Sequence, residues 1–319
     1  MACLVLRRWR RSSRPRAEVN PLRRDLPVVL PAEREATRLL HGRLDPSEIE
    51  EMQRRLDPDM CTILDGAEPE DRMTVELAFC VHLGLAARTG LLAVEPPEDV
   101  HSMARGPLAA GGSVYYADLV LEALRRGGAD PFAQRAALDL GCSSGRVVRV
   151  LRTVLPDTAW HGCDPNAAAI QWASENLPGI DFFVSRQEPP LPLADGVLDF
   201  AYAISIWSHF AEGAALRWLD EMRRIVRPGG LLILTVQGLN SIAFFGGPAG
   251  AVANLYARGF HYYDAFGETG DWGVKSPEWG MAFLTPEWLA AKATPEWALA
   301  WFAPGRAERN QDVVVLLRR

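Results

Sequence analysis

The sequence is short of several things, and each shortage excludes something. Only two of its 34 basic residues are lysines, Lys275 and Lys292, and 40 acidic residues leave a net charge of −6. That balance argues against a general nucleic-acid coat, so no nucleic-acid partner is expected. The five cysteines, Cys3, Cys61, Cys80, Cys142 and Cys163, are odd in number, scattered and without C-x-x-C spacing. They read as reduced thiols of a cytoplasmic protein, not as a disulfide framework or zinc site. No long apolar run is present: the best candidate, Met73 to Val94, is interrupted by Glu76, His82 and Arg88 and reads as a core helix. The apolar start, Met1 to Leu6, is short and precedes its arginines, the wrong order for a secretory signal. No membrane association is expected. Internal repeats and carboxylate clusters suited to a divalent metal are also missing.

What remains is a chain of 319 residues with 48% hydrophobic and 23% charged residues, ordinary for a globular protein. Residues 1–43 are rich in arginine and proline and read as a solvated, unfolded tail, with a basic arm touching an anionic partner as the alternative. Residues 44–112 read as a helical extension. Asp45-Pro46-Ser47-Glu48 resembles a helix start, with Ile49, Met52 and Leu56 on one face. A second helix is expected from Pro69 to Arg88. Ser113 reads as the N-cap of a helix running to Arg126, stopped by Gly127 and Gly128.

From Ala136 short apolar runs alternate with helical periods. Strands are expected at 136–140, 159–163, 180–184, 198–205 and 231–236, and helices at 146–154, 166–176 and 212–226. This pattern predicts an α/β fold with a doubly wound, mostly parallel sheet covered on both faces, occupying residues 113–319. Two late strands, near 297–302 and 312–317, complete seven. Residues 239–285 are rich in glycine and aromatics without a clear period.

The stretch 136–151 organises the rest. A buried strand runs into Gly141-Cys142-Ser143-Ser144-Gly145 and then a helix whose Val147, Val150, Leu151 and Val154 share a face. Such a junction lets a polar ligand approach the backbone closely. The middle glycine of a dinucleotide G-x-G-x-x-G is missing. Asp139 stands two residues before the first glycine. Together these point to a ligand carrying an ammonium and a carboxylate and no pyrophosphate.

Asp139 to Gly145 resembles motif I of the class I S-adenosylmethionine-dependent methyltransferases. Four later segments resemble that Rossmann-like family in the same order: Gly162 to Pro165, Leu191 to Asp199, Tyr202 to Phe210, and Arg227 to Leu234. The likeness covers roughly Tyr115 to Arg319. It implies S-adenosyl-L-methionine as cofactor, with Gly141, Ser143 and Gly145 near its amino-acid part. Asp139 then orients the loop or meets the ammonium. The resemblance assigns Asp164 to the ribose hydroxyls; the other reading of Asp164 is the N-cap of the next helix. Gln187 aligns best with the family's adenine contact, with Glu188 second.

The end of the fourth strand faces the transferred methyl group, which puts forward Ser205, Trp207 and His209. Ser205 is taken as cofactor-binding. His209 has a reference pKa suited to a general base, or else packs against the following helix. His101, His261, Tyr262, Tyr263 and Asp264 are further candidates in covering segments, whose aromatic cluster is either lid or core. His82 reads as structural.

The fourth strand lacks the Pro-Pro-aromatic ending with which similar enzymes bind a base amine, and no Pro-Cys nucleophile is present. The resemblance with these absences leaves O-methylation of a small molecule or glycan as the expectation. N-methylation of a small molecule, or cofactor binding without catalysis, are the alternatives.

Overall fold

The computed structural model describes residues 34–319 except His101 and residues 272–274. The tail reading for 1–33 therefore lies outside the described residues. Within 34–43, however, a helix forms: α1 (Glu35–His41) buries Ala36, Thr37 and Leu40. Three more helices follow, α2 (Pro46–Arg55), α3 (Pro58–Asp65) and α4 (Pro69–His82). The start of α2 carries a capping box in which the Asp45 side chain accepts from Ser47 N–H while the Glu48 carboxylate accepts from Asp45 N–H at 2.7 Å.

Two helix boundaries differ from expectation. Helix α4 stops at His82, six residues before Arg88, because Gly84 adopts φ +72° and Leu85 N–H turns back onto Cys80 O at 2.7 Å. Helix α5 (Ala109–Arg126) begins four residues before Ser113, whose hydroxyl donates to Ala109 O inside the helix instead of capping it. Burial of Val114, Ala117, Leu121 and Leu124 along its length sustains the helix from a glycine-rich start that propensity alone disfavours.

The alternating section supplies β1 (Ala136–Leu140), α6 (Val148–Val154), β2 (Ala159–Asp164), α7 (Ala167–Asn176), β3 (Ile180–Val184), β4 (Leu198–Ala203), α8 (Glu212–Ile225) and β5 (Val226–Val236). Then come α9 (Leu239–Phe245), α10 (Ala251–Arg258), β6 (Phe260–Tyr263), β7 (Met281–Leu284), α11 (Pro286–Ala293), β8 (Trp297–Ala307) and β9 (Gln311–Arg318). The main sheet has seven strands in the order β3-β2-β1-β4-β5-β9-β8, parallel from β3 to β5 and antiparallel at β9. Strands β6 and β7 form a separate antiparallel pair.

Side chains alternate across the sheet as strand geometry requires. Phe200, Tyr202, Leu231, Ile233 and Val315 join the core formed with α1–α6. Ala201, Leu232, Leu234, Val314 and Leu316 join the opposite core with Trp218 and Met222 of α8 and Trp288 of α11. Strand order reverses between β1 and β4. At that switch point loops diverge above the strand ends and leave a crevice.

Candidate active site

A cavity opens at the carboxyl ends of β1, β2 and β4, lined by Asp139, Gly141, Ser143, Asp164, Ser205 and His209 among others. Its floor is the loop after β1. Gly141 has φ +78°, and a Cβ there would lie 2.1 Å from Ile206 Cδ1, so glycine answers both a backbone and a space requirement. Ser143, also at positive φ (50°), donates its backbone N–H to Asp164 Oδ2 at 2.9 Å. Asn166 N–H reaches the other oxygen, Oδ1, at 2.8 Å. One carboxylate thus ties β2 to the glycine loop while each oxygen keeps a further acceptor site. Burial raises the Asp164 carboxyl above its usual range, opposed by those two N–H groups. The N-cap of α7 is Asn166, whose side chain accepts from Ala169 N–H, so Asp164 is not the cap.

Asp139 lies opposite Tyr202 in the β1–β4 register, both on the α5–α6 side of the sheet. Burial pushes its carboxyl up to about 7, against the lowering pull of the neighbouring Tyr202 hydroxyl and of Arg146. The Tyr202 hydroxyl itself is buried without a hydrogen bond of ordinary geometry. Gly145 does not reach the cavity: a Cβ there would meet Leu177 Cδ1 at 2.8 Å and Phe182 Cζ at 3.0 Å, so it serves packing behind the loop.

The far wall is built from the end of β4. Ser205 has φ 62°, and its hydroxyl receives Gln311 Nε2–H at 2.7 Å while its N–H donates to Thr235 Oγ1. Thr235 in turn donates to Gln311 Oε1, which fixes Ser205 from two other strands. A left-handed non-glycine residue held this firmly marks a site whose geometry overrides local preference.

His209 Nδ1 lies 2.8 Å from the carbonyl oxygen of Gly280, which can only accept. Nδ1 therefore carries the proton, and the Nε2 lone pair is the free acceptor on a ring that lines the cavity. Burial lowers the His209 pKa, keeping the ring neutral, although the Gly280 carbonyl and Asp271 act the other way. The ring stacks on Trp279 with centroids 4.8 Å apart.

The roof comes from the long connection between β6 and β7. Backbone bonds from Ala211 to Glu278, Gly280 to His209 and Ala282 to Ser208 pair it with the segment after β4. Trp279 Nε1–H donates to Asp271 Oδ2, and Arg217 of α8 bridges Glu188 and Glu278 at 2.7 and 2.5 Å. Glu188 is thereby committed to Arg217, which also lowers its pKa; Gln187 on the same wall is exposed.

Several sequence candidates lie elsewhere. Trp207 is fully buried in the core, and His261 and Tyr262 bond within the β6 region, to Asn254 and Pro277 respectively. Asp264 closes a turn onto Phe266 and Gly267 N–H groups. Neither these residues nor Tyr263 lines the cavity, His82 faces Glu95, and His101 lies outside the described residues. Sequence reasoning missed Met103, Arg146, Asp271, Glu278 and Trp279, all on the cavity wall. Of these only Arg146, next to Gly145, stood beside a recognised motif.

Among the described residues no His, Cys, Asp or Glu group could hold a metal ion, and the four described cysteines are free. No described helix is long and apolar enough to cross a membrane.

A family model described as a methyltransferase domain matches residues 137–230, from β1 to the turn inside β5. This segment is thus similar to a methyltransferase domain. S-adenosylmethionine is the cofactor of the class I methyltransferases that the sequence resembles. An uncharacterized 37.1 kDa protein in transposon TN4556 of Streptomyces fradiae is 33% identical over 123 residues, 37% of this chain and 33% of that protein. Phthiotriol/phenolphthiotriol dimycocerosates methyltransferase 1 of Mycobacterium ulcerans is 31% identical over 115 residues, 34% of this chain and 40% of that enzyme. The chain thus spans less than half the length of these curated relatives. Among solved structures, a SAM-dependent methyltransferase from Methanosarcina mazei aligns with a TM-score of 0.42 and 20% identity, over 58% of this chain and 93% of that one.

The residues fit this cofactor. A buried carboxylate with open acceptor positions suits a ribose diol, and a close-approach glycine, an acid and an arginine surround the end of the cavity beside the loop.

Proposed function

We propose that the chain methylates a hydroxyl oxygen of a small-molecule or glycan acceptor. Asp164 binds the ribose hydroxyls, Gln187 faces the adenine, and Asp139, Gly141, Ser143 and Ser205 surround the amino-acid end and the methyl group. Gly145 keeps the loop in place from behind. Bound S-adenosylmethionine supplies an electrophilic methyl group for direct displacement, which needs an aligned nucleophile. His209 accepts the acceptor's hydroxyl proton on Nε2, while Gly280 holds Nδ1–H and the ring direction.

The observation that carries this reading is the tautomer of His209. A neutral ring with its lone pair free stands on the same cavity as the glycine loop and Asp164. The test is methyl transfer by His209→Gln on an acceptor identified by screening. A fall of about 10²–10⁴-fold in kcat with unchanged cofactor affinity is expected. Unchanged kcat would remove His209 from the mechanism.

A second reading, N-methylation of an amine, draws support from Asp271 on the roof, whose carboxylate takes Trp279 Nε1–H on one oxygen and suits an amine acceptor that gives up its proton before attack.

A further inference from the structure

Two arginines on the cavity wall have chemistry the reading above does not use: Arg186, exposed beside Gln187, and Arg146, beside the glycine loop. Arg146 follows Gly145 and lies close enough to Asp139 to pull on its carboxyl. Yet no ion pair or hydrogen bond holds its guanidinium among the described residues. Arg217, Arg224, Arg227 and Arg306, by contrast, each bond a carboxylate.

What holds Arg146 is an aromatic face. Its Cζ lies 4.7 Å above the ring of Tyr116 in α5. A cation over a ring engages only the flat face of the guanidinium and leaves its in-plane N–H edge open to a planar acceptor. The ring is itself fixed: Tyr116 donates its hydroxyl to Glu308 Oε1 at 2.8 Å. Glu308, in the turn between β8 and β9, donates its backbone N–H to the Tyr115 hydroxyl, which donates to Arg306 O. Arg306 is anchored by Glu122 of α5 in a buried pair at 2.5 Å. This scaffold joins α5 to the last hairpin and presents one unpaired cation to the cavity.

We propose that Arg146 binds the α-carboxylate of the cofactor's amino-acid end, with Tyr116 as its positioning residue. The inference rests on the S-adenosylmethionine reading and deepens it. A free amino acid is a zwitterion, and this end of the cavity offers one carboxylate, Asp139, and one guanidinium, Arg146. Arginine suits the second task because its edge meets both carboxylate oxygens at once.

The test compares two ligands by calorimetry on the full chain: S-adenosylhomocysteine, and 5′-methylthioadenosine, which has the same nucleoside and thioether without the amino-acid group. Wild type is expected to prefer S-adenosylhomocysteine. Arg146→Met should weaken S-adenosylhomocysteine about 10- to 100-fold, the range of one charge-assisted hydrogen-bond pair, and 5′-methylthioadenosine less than about threefold. Arg146→Lys should fall between, and Tyr116→Leu should reduce the same preference. Retained 5′-methylthioadenosine binding serves as the folding control. Equal weakening of both ligands by Arg146→Met, or none, overturns the assignment of Arg146. Failure of wild type to bind either ligand overturns the S-adenosylmethionine reading on which it rests.

Discussion

Gly141→Ala isolates the physical demand at the centre of the glycine loop. Two separable costs follow from the geometry. At φ +78° an alanine occupies left-handed backbone, which costs about 1–2 kcal/mol. Its Cβ would also lie 2.1 Å from Ile206 Cδ1 and 2.6 Å from Cγ1, an overlap that must be relieved. Overpacking of this kind costs about 1–3 kcal/mol, and the lower half applies because the obstructing atoms end a side chain that can turn toward the cavity. The expected loss is therefore about 2–4 kcal/mol, a large part of the roughly 5–15 kcal/mol that holds a typical domain folded.

A double-mutant cycle with Ile206→Ala separates the two costs. Removing the obstructing atoms cancels the overlap and leaves the backbone cost, so urea denaturation should give a coupling of about 1–2 kcal/mol between the sites. Additivity within about 0.5 kcal/mol would refute the claim that Ile206 occupies the space a side chain at 141 needs. A Gly141→Ala loss below about 0.5 kcal/mol would refute the backbone argument too.

Other consequences are equally checkable. Burial raises the folded Asp139 pKa to about 7, so the native state holds a proton that the unfolded chain releases near the ordinary carboxylate range. Wild-type stability should fall relative to Asp139→Asn as pH rises from about 4 to 7, by at most about 1.4 kcal/mol per pH unit, and level off above. Parallel denaturation profiles across that window would contradict the burial assignment. Glu122→Ala strands the buried guanidinium of Arg306 and should cost about 3–5 kcal/mol in chemical denaturation, where a loss under about 1 kcal/mol would show the pair to be dispensable.

The parallel half of the sheet is legible because its strands are short apolar runs closed by local punctuation. Asp45 and Glu48 announce their helix for the same reason: a cap is written within four residues. The region 239–285 is opaque because its order comes from distant partners. Strands β6 and β7 have four residues each, and the roof is held by Ser208, His209 and Ala211 through backbone bonds that leave no side-chain period. Ser113 misleads since a serine can bond back inside a helix as readily as cap one. The floor of the cavity, Asp139 to Ser143 with Asp164, lies within motifs and is readable. Arg217, Asp271 and Glu278 come together only when α8 and the roof pack, so no spacing betrays them.

Asp164 bears most directly on the central claim, because it ties the loop and, in the proposed function, its remaining acceptor positions take the ribose diol. Titration calorimetry of S-adenosylhomocysteine into wild type should give one site per chain. Asp164→Ala, melted in parallel to confirm folding, should lose at least about tenfold in affinity, the value of one charged hydrogen bond. Absence of heat with wild type, or equal affinity in a folded Asp164→Ala, would contradict the account.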